Sequence, residues 1–142
     1  MNKSLIQQLA DERLKDAEAL RSLGRWSGAY YLCGYAVELS LKACVLRHLG
    51  ESDAVFGDSE AKQSFRDYRT HDLKLLIGYA GLKVEQEQSF QRNRILQSNW
   101  IVTAGWSEKA RYKDNTETYA QDLFAAVNDP ADGVFQWTRS HW

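Results

Sequence analysis

Between Gly28 and Leu46 only Glu38, Ser40 and Lys42 are polar. Trp26, Tyr30, Cys33, Val37, Leu41 and Cys44 fall on one helical face at steps of three and four. Leu32, Ala36, Leu39, Ala43 and Leu46 fall on another. A surface helix carries one apolar stripe, so a helix with two must be covered on several sides. The spacing predicts a central helix ending at Gly50, covered by other helices or by a second copy of the chain. Glu38 and Lys42 stand four apart with Glu first, the favourable order for a helical ion pair. Two charges inside an apolar run are costly unless paired. They are either a structural pair or the edge of a site.

The rest of the chain is also helical in pattern, and no stretch alternates at period two. Leu5, Leu9, Ala10, Leu14, Ala17 and Leu20 give a first helix one apolar stripe, with Ser4 as its cap and Gly24 as its stop. The central helix follows within about two residues, which predicts an antiparallel hairpin. Beyond Gly50 comes a polar, acidic loop, with a short helix expected near Glu60–Asp67. THDLKLLIGYAG reads as a further helix capped by Thr70, with Asp72 in its first turn. It buries Leu73, Leu76, Ile77 and Ala80 and closes at Gly81, with Leu82 supplying the contact after the stop. One helix is expected from about Glu85 to Trp100 or slightly beyond, broken by Gly105. WSEKARYKDN is irregular and locally basic. Asn115 or Thr116 caps a helix that buries Ala120, Leu123, Phe124 and Val127. A last short helix, VFQWTRSHW, presents Val134 and Trp137. The fold class is therefore all-α, an antiparallel up-and-down bundle of five to seven helices.

With 142 residues, one proline and no low-complexity tract, one domain spanning 1–142 is expected. The net charge of −1 argues against bulk-charge coating of nucleic acid, but it leaves room for a local basic patch. The charged N-terminal turns do not resemble a signal peptide. Glu38 and Lys42 make membrane insertion of the apolar run expensive. Cys33 and Cys44 lie roughly 16 Å apart along one helix axis, too far to bridge. Two unpaired cysteines fit a reducing compartment, so the cytoplasm is expected. No metal-ligand spacing is present and no cofactor is expected.

Candidate chemistry is sparse. Arg111 and Tyr112 precede a helix start, with Arg92, Arg94, Lys109 and Lys113 nearby. Arginine there can hold phosphate by bidentate contacts, or can pair with a carboxylate such as Asp114. His71 beside Asp72 can act as an acid or base, or simply cap and pack. His48 at the end of the central helix suits the negative end of the helix dipole. Of the five tryptophans, Trp106 and Trp142 are the best placed to stack bases, being in a loop and at the terminus.

In order along the chain, GRWSGAYYLCGYAVELSLKACV, THDLKLLIGYAGL, NW, WSEKARY and GVFQWTRSHW follow the amphipathic first helix. This arrangement resembles the HEPN family, and AVELSLKA and THDL are its most telling pieces. The resemblance implies a dimerising helical bundle. It also implies binding of RNA, a nucleotide or a partner protein in a defence or toxin–antitoxin-like system. A nucleotidyltransferase or an antitoxin is the partner it suggests, and no membrane is involved. Many members are metal-independent ribonucleases with Arg, four to six residues, then His at the start of the last long helix. In such a pair His moves the 2′-hydroxyl proton and Arg steadies the phosphate charge. Arg111 stands at the arginine position, but the histidine position holds Thr116, Glu117 or Thr118. Arg66 and His71 match the motif by letters in an earlier segment. The binding candidates are thus Arg111, Tyr112 and Lys113, with His71, Glu38 and Lys42 in a cleft. The rivals are a ribonuclease using His71 with Arg111 or Arg66, and a purely structural interaction module built on the aromatics.

Overall fold

The computed structural model describes residues 2–50 and 69–142. They form seven α-helices and one 3-10 helix, with no strand. Helix α1 spans Lys3–Ser22 and α2 spans Trp26–Leu49. Next come α3, Leu73–Tyr79, α4, Lys83–Arg92, and α5, Arg94–Ala104. The 3-10 helix Glu108–Tyr112 precedes α6, Glu117–Asn128, and α7, Val134–Arg139. The short helix expected near 60–67 and the candidate Arg66 lie outside the described residues.

α2 is the hub. It packs against α1, α3, α6, α7 and the 3-10 helix. Every residue from Ala36 to Leu46 is buried. Of the two covers open to that run, other helices or a second copy, the chain's own elements supply it. The three polar residues of the run are all used. Glu38 and Lys42 pair with each other. Ser40 exchanges a 2.7 Å hydroxyl contact with Thr138 of α7 and accepts a 2.8 Å hydrogen bond from the Trp142 indole. Those bonds, with Cys44 Sγ donating to the Thr138 carbonyl at 3.3 Å, hold the C-terminal helix on α2. Cys33 and Cys44 are free and buried, and burial pushes the Cys44 thiol up to about 12.

Several boundaries move by a residue or more. Asn2, not Ser4, caps α1, its side chain accepting from Leu5 N at 2.8 Å. Asp72, not Thr70, caps α3, accepting from Lys74 N and Leu75 N, while Thr70 accepts from Asp72 N. Both expected caps lie beside a second competent acceptor, and the final choice depends on where packing starts the first turn. The single helix expected over 85–100 is two helices. Asn93, at φ −140° and ψ 96°, breaks it. Its side chain accepts from Leu96 N to cap α5 and donates to Asp132 at 2.7 Å. Gly81 closes the α3 turn as expected. Leu82 N bonds to Ile77 O and Gly81 N to Gly78 O, which requires φ of +69° at Gly81. The His48 ring lies where a Cβ at Gly81 would stand.

Candidate functional site

A third stripe runs along α2 beside the two apolar ones. Tyr31, Gly34, Tyr35, Glu38 and Lys42 recur at steps of three and four and share a face. The loop after α5 and the 3-10 helix pack on that face. Gly34 makes the approach possible, because a Cβ there would come within 2.3 Å of Trp106 ring atoms. Trp106 is 3% exposed and lies 6.2 Å from the Tyr31 ring, which in turn stacks on Tyr35 at 5.9 Å. Trp106 is thus a wall of the site rather than an exposed stacking platform. Trp142 is half-buried against α2. Base stacking and packing were both open for these two tryptophans, and the structure packs both: a loop position does not prevent it for Trp106, because Gly34 leaves room on the facing helix.

Packing the loop on this stripe places a chain of charged groups. Glu38 is fully buried, and its Oε1 accepts from Lys42 Nζ at 2.8 Å and from His71 Nδ1 at 2.9 Å. Glu38 Oε2 has no hydrogen-bond partner among the described residues. A carboxylate cannot donate, so the His71 proton at this contact sits on Nδ1. That fixes the ring and directs Nε2 away from α2, to 3.2 Å from Glu108 Oε2. The same Glu108 oxygen lies 4.0 Å from the Arg111 guanidinium. Arg111 lies over the Tyr112 ring at 4.7 Å. The neighbouring Tyr112 phenol raises the guanidinium above its ordinary range, and Glu108 and Tyr31 add to that. Arg111 therefore has a carboxylate partner, and the partner is Glu108 rather than Asp114.

The sequence candidates separate into two groups. Glu38, Lys42, His71 and Arg111 belong to one relay, although they come from α2, the segment before α3 and the 3-10 helix. Tyr112, 76% exposed, borders it through Arg111. Lys113 is exposed just beyond and enters none of these ion pairs. Thr116 is the α6 cap and Glu117 lies in its first turn, so neither acts in place of a histidine. Glu108 and Tyr31 escaped the sequence reading, and Trp106 was singled out there for stacking rather than for packing on α2. The available signal was the 31, 34, 35, 38, 42 spacing, where a glycine between two tyrosines marks a close approach. Beside the relay lies an open cleft of about 540 Å³, lined by residues that include Thr70, His71, Lys74, Trp106, Glu108 and Lys109.

Residues 4–55 match the HEPN domain family. No curated protein and no solved structure matches the chain. The HEPN match covers α1 and α2, and so includes Glu38 and Lys42. His71, Glu108 and Arg111 lie beyond it, and their relation to the HEPN segment rests on the geometry above. No helix of the described residues is long and apolar enough to cross a membrane. Among those residues no group of three or more His, Cys, Asp or Glu is arranged to hold a metal ion.

Proposed function

We propose that this HEPN-like protein binds the phosphate of RNA or of a nucleotide at the mouth of the cleft lined by His71 and Glu108, with Arg111 beside it. The observation that carries this reading is the convergence of His71 Nε2 and the Arg111 guanidinium on one carboxylate oxygen, at distances of 3.2 and 4.0 Å. Both side chains are about half exposed, at 46%, so an anion from solution can reach them. Lys74 and Lys109 add positive charge to the same cleft, and Tyr112 offers an exposed ring beside the guanidinium. Arginine's planar fork suits a phosphate better than an ammonium does. In filter-binding with short single-stranded RNA and with nucleoside monophosphates at low salt, Arg111→Ala should weaken binding at least about tenfold, the loss of a charge-assisted pair. Affinity unchanged by Arg111→Ala would remove the proposal.

A second reading is favoured by the way His71 is held. Its Nδ1 is fixed by a buried carboxylate and its Nε2 faces Glu108 at the cleft, so the ring can serve as a general base once Glu108 moves aside and Nε2 carries no proton. A metal-independent ribonuclease would then use His71 on the 2′-hydroxyl and Arg111 on the phosphate. RNA cleavage in EDTA that is lost in both His71→Ala and Arg111→Ala would establish it. RNA that binds and stays intact leaves the binding reading alone.

The resemblance to HEPN proteins also supports a homodimer working in a defence or toxin–antitoxin-like setting, with a nucleotidyltransferase or antitoxin as partner. Ile95, Ile101 and Val102 of α5 and Tyr119 of α6 are exposed apolar side chains, and they offer a surface for a second copy. Sedimentation at micromolar concentration should report twice the 16.3 kDa chain mass, and Val102→Glu should return it to one. A wild-type monomer under those conditions would count against the dimer.

A further inference from the structure

We infer that Glu108 is an internal stand-in for the phosphate, a tethered carboxylate that occupies the anion position of the cleft and must leave when a ligand binds. The inference rests on the phosphate-binding reading above. Carboxylate and phosphate share a geometry here. One oxygen, Glu108 Oε2, faces both His71 Nε2 and Arg111 NH2. A phosphate presents several oxygens with the same charge preference and the correct fork spacing for arginine. Carboxylate and phosphate would therefore compete for the same two partners.

The tether makes displacement easy. Glu108 opens the 3-10 helix, which ends at Tyr112, so it stands three residues from Arg111 on the same turn. Its side chain is one-third exposed, and exposed pairs of this kind are weak. The distance of 4.0 Å to Arg111 is at the long limit of an ion pair. Glu38 differs: it is fully buried and takes two short hydrogen bonds. The two carboxylates on His71 thus have separate tasks. Glu38 holds the ring in place whether or not a ligand is present. Glu108 swings out, and the ring's Nε2 and the guanidinium pass to the phosphate. Asp72 also lines the cleft, but its Oδ1 is committed to Lys74 N and Leu75 N at the start of α3.

The test is calorimetric titration with inorganic phosphate and with adenosine 5′-monophosphate at low ionic strength. Wild type is compared with Glu108→Gln, Glu108→Asp and the control Asp114→Asn. Glu108→Gln should tighten both ligands about fivefold, the loss of one exposed competing pair. Glu108→Asp, with its charge retained but withdrawn by one methylene, should tighten them to an intermediate degree. Asp114→Asn should change them less than twofold. Histidine-detected NMR should show the ligand-free Glu108→Gln protein moving the His71 ring signal in the direction that phosphate moves it in wild type. If wild type binds and Glu108→Gln binds equally or more weakly, Glu108 is a brace; this inference falls and the phosphate-binding reading stands. If Glu108→Gln tightens while Glu108→Asp equals wild type, long-range repulsion explains the gain and displacement is refuted. If none of the four proteins binds either ligand, both readings fall.

Discussion

Glu38→Ala should lower stability by about 3–5 kcal/mol, because it removes one partner of a buried pair and leaves the other in place. Lys42 is only 6% exposed, and in the variant its ammonium loses the carboxylate 2.8 Å away. The figure measures the cost of removing one partner from a buried pair and not the worth of the pair. For the same reason the double replacement Glu38→Met with Lys42→Met should recover most of the loss. Urea unfolding of the three proteins checks this, and a loss below about 1 kcal/mol for Glu38→Ala would contradict the buried pairing. A second consequence separates site from scaffold. His71 Nδ1 loses its acceptor, so the ring is no longer held toward Glu108. Phosphate affinity should therefore fall in the single variant well below its melting temperature.

The second large effect comes from a residue with no side chain. Gly34→Ala would set a methyl 2.3 Å from Cγ, Cδ2 and Cε2 of Trp106. The indole has little room to retreat, since it is buried with Tyr31 stacked beside it. Overpacking of this kind costs about 1–3 kcal/mol, and a rigid ring in direct overlap places this case at the upper end. Trp106→Leu makes room, so the two substitutions together should cost clearly less than their sum. A coupling above about 1 kcal/mol in that cycle is expected. Strictly additive effects would mean that Gly34 and Trp106 do not meet as described. Because Trp106 leads into the 3-10 helix, pushing it off α2 should also move Glu108 and Arg111 and weaken phosphate binding.

Much of the fold was legible in local spacing. The two apolar faces of α2 required burial on several sides, and Leu73, Leu76, Ile77 and Ala80 are buried together as their period predicts. What was less legible has specific causes. Asn2 and Ser4 are both competent caps, as are Thr70 and Asp72, and periodicity alone does not choose between them. The break at Asn93 has no proline or glycine to announce it. It is held by Asp132, far along the chain, and no local window contains that bond. The candidates Glu38, Lys42, His71 and Arg111 were visible as unusual residues in their own segments. Glu108 was not, because one glutamate in a charged loop looks solvated until its neighbours are known.

The sequence by itself determined the helices, the depth at which α2 lies and the need for Glu38 and Lys42 to find partners. These follow from nearest-neighbour physics: periodicity, capping and the cost of burying charge. Their pairing with each other is local, but only the tertiary structure decided which further groups join them. Gly34 lets the Trp106 loop lie against α2, which brings Glu108 opposite His71 and His71 onto Glu38. Contacts between residues 33 and 37 positions apart depend on how packed elements meet, and no short-range pattern encodes that meeting.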